Sequence, residues 1–582
     1  MEKFYTSERN TQILIALMKK HGIKKIVASP GATNVCFVGS VQQDDYFEIY
    51  SSVDERSAAY IACGLAAESG EPVALSCTGA TASRNYVPGL TEAFYRQLPV
   101  LAITSTQHMG RVGNYIPQVI DRSVQMNDIV KLSVSIPTIH DEEDEWAYGV
   151  MLNKAILELR RKGGGPVHIN LTTQYSDDFS TKQLPAVKVI DRISEGEKLP
   201  LISKSSSVAI FVGAHKTWSQ KLVNVVDSFC ERFNGVVFCD PTSNYYGKYK
   251  VFPSLINSQI TYLPQCLNCD VLIHIGNISG MDNNQKHKAK EVWRVNPDGE
   301  VRDAFKNLRY VFEMEEISFF EHYVALTNEI SIMNYYDMWK KEYNLLLRKV
   351  PELPFSNAWV AQYLSQIITS DSIVHFGILN SLRSWTYFEP LNNIRGYANT
   401  GGFGIDGCVS SLIGSSLINP EIINWGFVGD LAFFYDMNSI GNRHIGNNVR
   451  LMVINNGRGQ EFRNSLHHAA KFGTDADQFM AAAGHFGNQS HEVLRHYAND
   501  LGYEYLNAST KEEFLEVIDI FMSPKIQNKP IIFEIFTDTA EESKAFDMLH
   551  NLEISTKEVA KGIVKNVLGD AGIKTIKKII GR

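Results

Sequence analysis

A chain of 582 residues, 44% hydrophobic and 21% charged, holds enough material for about three to five separate cores and has the composition of a globular protein. Its 41 Gly and 19 Pro exclude a collagen-like chain and argue against extensive disorder, and a net charge of −8 offers no basic field for nucleic acid. No apolar run reaches the roughly 18 residues that a membrane-spanning helix needs, and Met1 to Arg9 carry charges where a signal peptide has an apolar stretch. The 8 Cys are therefore expected to be reduced thiols of a cytoplasmic protein.

Residues 7–21 have helical spacing, with Ser7 a candidate N-cap. Strands are expected at 23–29, ending in the turn Ser29-Pro30-Gly31, and at 46–53, 72–78, 99–105 and 166–171. Helices are expected between them at 55–69 and 81–96. Short apolar strands separated by helices imply βαβ units and a parallel sheet, here a first domain over 1–180. Residues 180–200 read as a linker. Apolar runs at 209–214, 236–239, 270–277 and 292–296 make a smaller α/β domain over 200–345. A third domain over 355–540 has strands at 372–377, 423–430, 449–456 and 530–536. The fold class is α/β, three doubly wound parallel-sheet domains, whose ligands sit outside the carboxyl ends of strands. Residues 541–582 form a basic tail. Val559, Ile563, Val567, Ile573, Ile576 and Ile580 recur near helical spacing, as a docked helix or as an interfacial helix in peripheral contact with anionic lipid.

The strongest chemical signal lies in the third domain. Gly429-Asp430-Leu431 follows one apolar strand, and Asn455-Asn456 ends the next, 26 residues after Asp430. Two oxygens on neighbouring strand ends suit Mg²⁺ shared with a ligand's phosphates. The pattern resembles the thiamine diphosphate motif, G-D-G followed by N-N, with Leu431 in place of the second Gly. The string from Gly429 to Asn438 resembles one branch of that superfamily, the menaquinone-pathway 2-succinyl-5-enolpyruvyl-6-hydroxy-3-cyclohexene-1-carboxylate synthases. Acetolactate synthases are more distant relatives. The resemblance covers residues 1–180 and 355–540 by motif, and it implies pyrimidine-binding, central and diphosphate-binding domains. It also implies that Asp430, Asn456 and the backbone carbonyl of Arg458 bind Mg²⁺ and that Leu431 lies against the cofactor.

The other motifs take their roles from the same resemblance. Glu55, in Asp54-Glu55-Arg56 at a strand-to-helix junction, corresponds to the carboxylate that bonds the cofactor's aminopyrimidine. Thr78-Gly79, with Gly31 of the first turn, corresponds to the loops around the pyrimidine. Asn380-Ser381 matches a diphosphate-side loop. In Gly404-Ile405-Asp406-Gly407, Ile405 stands where the family places an apolar wedge between the cofactor rings. The family site is shared between subunits, so a homodimer or homotetramer follows.

Departures from the branch bear on substrate. Thr33, Gln107 and Thr400 occupy positions where the menaquinone enzymes carry arginines that clamp carboxylates. A charge-assisted hydrogen bond contributes about 1.5–3 kcal/mol, so three losses would weaken binding by orders of magnitude unless Arg84, Arg111, Arg383 or Arg395 substitutes. Gln118 matches a substrate-site glutamine, and His108 is a candidate proton donor. Cys266-x-x-Cys269 is a single pair, better read as buried thiols than as a metal site. The second domain has no dinucleotide fingerprint. The expected activity is decarboxylation of a 2-oxo acid, with transfer of the acyl-anion equivalent to an unidentified acceptor, using thiamine diphosphate and Mg²⁺. The alternatives are the menaquinone synthase reaction itself, a simple 2-oxo acid decarboxylase, or a non-enzymatic cofactor-binding protein.

Overall fold

The computed structural model describes residues 4–281, 286–332, 334–484 and 489–553. Contacts divide the chain into two units, one holding the residues up to Lys198 together with Asp298–Glu313, the other the rest of the described chain.

In the first unit, β1 (Lys25–Ala28), β2 (Glu48–Ser51), β3 (Val73–Cys77), β4 (Val100–Thr106), β5 (Leu132–Ile136) and β6 (Val167–Thr172) form a sheet in the order β2-β1-β3-β4-β6-β5. Its strand pairs are parallel, and β3, β4 and β6 are buried along their whole length, which is why they read as unbroken apolar runs. One face packs Ile13, Leu17 and Ile156 of the helices Arg9–Lys20 and Glu142–Glu158, the other Ala58, Ala62 and Leu90 of Glu55–Ser69 and Val87–Tyr95. Glu55–Ser69 starts and stops where the sequence says: Asp54 accepts the N–H groups of Arg56 and Ser57, and Gly70 ends the helix at φ 66°.

Several expectations are corrected here. The first helix is capped at Glu8 without a side-chain bond, and the Ser7 hydroxyl pairs with Ser176 instead (2.8 Å). The helix expected over 81–96 is two, Thr81–Asn85 and Val87–Tyr95, because Pro88 has no N–H to continue the first ladder. The stretch 180–200 contains a strand, β7 (Asp191–Ser194).

In the second unit, β8 (Val208–Val212), β9 (Gly235–Phe238), β10 (Lys250–Val251), β11 (Asn268–Ile275) and β12 (Lys288–Val295) lie parallel in the order β10-β9-β8-β11-β12. The following strand, β13 (Leu308–Glu313), pairs in parallel with β7 inside the first unit. Residues 298–313 thus pack with the N-terminal domain although they lie in the sequence range assigned to the central one. The last sheet, also parallel, runs β15-β14-β16-β17-β19-β18, with β14 Ile373–Phe376, β15 Arg395–Ala398, β16 Asn424–Gly429, β17 Val449–Asn455, β18 Glu504–Ala508 and β19 Ile531–Phe536.

The helix Thr539–His550 packs on Asn357–Ile367 and buries Glu542, Phe546 and Leu549, so ordered structure continues beyond residue 540, where the basic tail was expected to begin. The apolar stripe from Val559 onward lies outside the described residues. All eight Cys are buried free thiols. Burial pushes Cys63 up to about 11 and Cys77, Cys266 and Cys269 up to about 12. Among the described residues no cluster of His, Cys, Asp and Glu is suited to hold a metal, and Cys266 and Cys269 are core residues.

Candidate active site

The register of β16 on β17 brings the expected metal ligands together. Gly429 pairs with Ile454, so Asp430 leaves its strand beside Asn455-Asn456. The two asparagines do different work. Asn455 is structural: its amide donates to Glu534 Oε1 (2.7 Å) and its oxygen accepts from Gly457 N–H (3.1 Å). Asn456 Oδ1 is buried and has no donor among the described residues. Asp430 is 5% exposed, and burial pushes its carboxyl up to about 7 against the opposing pull of the N–H groups of Leu431, Gly457 and Asp430 itself. A dehydrated carboxyl and an amide oxygen lacking a donor, on adjacent strand ends, are a donor set that fits Mg²⁺, whose charge would favour the ionised carboxylate. Arg458 is anchored through Nη1 on Asp477 (2.6 Å). Leu431 packs at Gly459, where a Cβ would stand 3.3 Å from its methyl.

Asn380 and Ser381 open the short helix Asn380–Thr386 after β14. Asn380 Oδ1 accepts from Arg383 Nη1 (2.8 Å) and Asn464 Nδ2 (3.1 Å), and Ser381 Oγ accepts from Asn357 (3.3 Å). Arg383 is itself paired with Glu461 (2.5 Å), so its charge is neutralised where it lies. A Cβ on Gly404 would stand 2.5 Å from Asp406 Oδ1, and Ile405 is half-buried against the core cluster containing Cys408 and Phe433.

In the first sheet's unit, Glu55 begins its helix, and its Oε2 accepts from Asn85 Nδ2 (3.2 Å). Thr78 is one corner of a hydroxyl knot: Thr33 Oγ1 lies 2.6 Å from Thr78 Oγ1 and donates to the Ser105 carbonyl (3.0 Å). Gly31 backs directly onto Thr78: a Cβ there would lie 2.8 Å from Thr78 Cγ2, and closer still to Thr78 Cβ. At Gly79 a Cβ would stand 3.0 Å from the Gln118 carbonyl and 3.2 Å from Arg122 Nη1. Gln118 is held at φ 64°. His108 Nδ1 accepts from Gly110 N–H (3.1 Å), which places the proton of its neutral ring on Nε2.

Of the three positions where the resemblance led us to expect arginines, Thr33 is 2% exposed and locked in the knot, and Thr400 is buried. Gln107 donates to the Tyr175 hydroxyl (3.0 Å) and accepts from Arg111 Nη1. Arg84 is exposed, and Arg395 is tied to the Asp371 carbonyl (3.2 Å). The sequence reading passed over Arg122, a buried cation on the same loop as Gln118, because Ile120-Asp121-Arg122-Ser123 reads as an ordinary polar turn.

Over residues 9–126 the chain matches the family model described as thiamine pyrophosphate enzyme, N-terminal TPP binding domain, the stretch that carries Glu55 and Thr78-Gly79. Its cofactors are thiamine diphosphate and Mg²⁺. Over nearly its whole length the chain is similar to 2-succinyl-5-enolpyruvyl-6-hydroxy-3-cyclohexene-1-carboxylate synthases. It is 29% identical to that of Bacteroides fragilis over 576 residues, covering 94% of this chain and 100% of that protein. It is 28% identical to that of Phocaeicola vulgatus over 560 residues (93% and 97%), and 26% identical to that of Flavobacterium johnsoniae over 555 residues (91% and 96%). Among the described residues no helix is long and apolar enough to cross a membrane.

Proposed function

We propose that the chain decarboxylates a 2-oxo acid and transfers the acyl-anion equivalent to an acceptor, as a carboligase whose substrate differs from that of the menaquinone-pathway synthases. The observation that carries the difference is Thr33, whose hydroxyl is committed to Thr78 and the Ser105 carbonyl, so that the position itself supplies no cation and the charge on that carbonyl comes instead from Arg122, on another loop. Bound thiamine diphosphate supplies the nucleophilic carbon and the electron sink. The chain's own residues hold it and handle protons. Asp430, Asn456 and the Arg458 carbonyl would hold Mg²⁺; Asn380, Ser381, Leu431 and Gly404 would line the diphosphate side, and Ile405 would be the apolar wedge. Gly31, Thr78 and Gly79 would bind the pyrimidine, and Glu55 would be the carboxylate that exchanges a proton with it. Gln118 orients substrate, and His108 donates a proton from Nε2. The active form is a homo-oligomer, dimer or tetramer.

A second reading is the menaquinone synthase reaction itself, favoured by 29% identity across 576 residues to a protein so named. One experiment separates them: the protein with thiamine diphosphate and Mg²⁺ is given a panel of 2-oxo acids while CO₂ release is followed, and separately 2-oxoglutarate with isochorismate. The expected result is CO₂ from at least one acid and negligible product with isochorismate. Efficient product with isochorismate establishes the second reading, and no CO₂ in either arm overturns both.

A further inference from the structure

Arg122 is 3% exposed. Its Nη2 donates to the Ser105 carbonyl (3.1 Å), while its Nε and Nη1 are buried without an acceptor among the described residues. Among those residues no carboxylate compensates it. The groups that act on it electrostatically are the Cys77 thiol and Arg84, the latter of like sign. Its neighbour Asp121 instead accepts the N–H and hydroxyl of Ser123 (2.9 and 2.6 Å). A guanidinium cannot neutralise itself by losing a proton, so an unpaired one in the interior is held against a penalty that a bound anion would remove.

Its surroundings belong to the ligand-facing end of the sheet. Ser105 lies in the last turn of pleat of β4, Gly79 follows β3, and the bare Cα of Gly79 is what leaves room beside Nη1 and the Gln118 carbonyl. Cys77 feels the charge of both Arg122 and Glu55, which places the two at the same end. The Ser105 hydroxyl is a further buried donor without a partner among the described residues.

We propose that Arg122 is a substrate-binding residue that takes an oxyanion of the substrate, one that persists through the reaction. Resting on the function proposed above, this assigns the substrate one anionic group besides the carboxylate lost as CO₂. A cation clamped on the departing carboxylate would stabilise the ground state over a transition state approaching neutral CO₂, and so would oppose the chemistry.

The test uses the full chain, as wild type, Arg122→Met and Arg122→Lys, melted without cofactor in the presence of glutarate, inorganic phosphate or neutral glutaramide. Wild type should gain several degrees with glutarate or phosphate and none with glutaramide. Whichever anion works identifies a carboxylate or a phospho group. Arg122→Met should lose the gain while melting no lower than wild type, since an uncompensated buried cation has gone, and Arg122→Lys should keep part of it. A wild type indifferent to both anions, or a gain undiminished in Arg122→Met, overturns the proposal. So does an Arg122→Met protein that melts lower while Arg122→Lys shows no gain, because Arg122 is then a strut for the Ser105 carbonyl. With any donor found in the 2-oxo acid panel, Arg122→Met should raise KM for the anion-bearing substrate at least about 30-fold and leave thiamine diphosphate affinity unchanged. A panel without turnover sinks the proposed function, yet leaves the melting result to judge Arg122.

Discussion

Gly31→Ala tests whether the hydroxyl knot shapes the cofactor site. The new methyl would stand 2.8 Å from Thr78 Cγ2 and 3.1 Å from Asn34 Oδ1, with Thr78 Cβ nearer still. Carbon atoms settle at about 3.5–4.0 Å, so Thr78 must retreat by about 1 Å. Both residues sit on backbone at strand ends, where overpacking typically costs about 1–3 kcal/mol. The retreat also breaks the 2.6 Å contact between the Thr33 and Thr78 hydroxyls, worth about another 1 kcal/mol. If the Thr78-Gly79 loop absorbs the shift, thiamine diphosphate affinity should fall by about 10- to 100-fold, equivalent to about 1.4–2.8 kcal/mol. The assay is titration of cofactor by calorimetry alongside a melting curve. Gly149→Ala is the control: it lies inside the helix Glu142–Glu158, a Cβ there meets nothing within 4 Å, and it should stabilise by up to about 1 kcal/mol. A Gly31→Ala protein that binds cofactor as tightly as its parent and melts no lower would refute the reasoning.

Three further outcomes follow from the same geometry. Asp430→Ala and Asn456→Ala should each weaken thiamine diphosphate binding and blunt its dependence on Mg²⁺; unchanged titrations in either variant remove that residue from the metal site. Glu55→Gln should keep the cofactor and slow turnover strongly, and near-normal turnover would take Glu55 out of the mechanism. Glu542 is buried with Oε1 accepting from Asn357 N–H (3.0 Å) and Thr537 (2.7 Å), and burial raises its carboxyl from 4.5 to about 7. A raised acid contributes stability below about pH 4.5 that is lost as pH climbs through 7, about 3 kcal/mol in all. The melting temperature of Glu542→Gln relative to wild type should therefore climb between pH 5 and 8, and parallel curves would contradict the burial argument.

What was legible in the sequence was what local chemistry decides. Apolar runs buried on both faces, such as Val73–Cys77 and Val449–Asn455, declared the parallel sheets, and Asp54 with Gly70 marked both ends of one helix. Strands with polar positions did not stand out: Leu132–Ile136, Arg395–Ala398 and Glu504–Ala508 are only partly buried, and their short, mixed sequences resemble loops. The pairing of Asp191–Ser194 with Leu308–Glu313 joins residues more than a hundred positions apart, beyond any window of periodicity. In the site, Asp430 and Asn456 announce themselves by standing at strand ends. The division of labour between Asn455 and Asn456 does not, because it depends on Glu534 arriving from β19. Arg122 was invisible for the same reason: an arginine in a polar turn becomes informative only when the fold buries it without a carboxylate.

The burial of every cysteine has a practical consequence for spectroscopy. With no native thiol on the surface of the fold, one introduced cysteine would be the fast-reacting site for a maleimide dye. Val124, 83% exposed and two residues from Arg122, is a suitable place for it. A fluorophore there would report occupancy of the neighbouring site in real time. The native thiols would then serve as a clock: their slow modification would count the openings of each core, with Cys77 reading that of the first sheet and Cys408 that of the last.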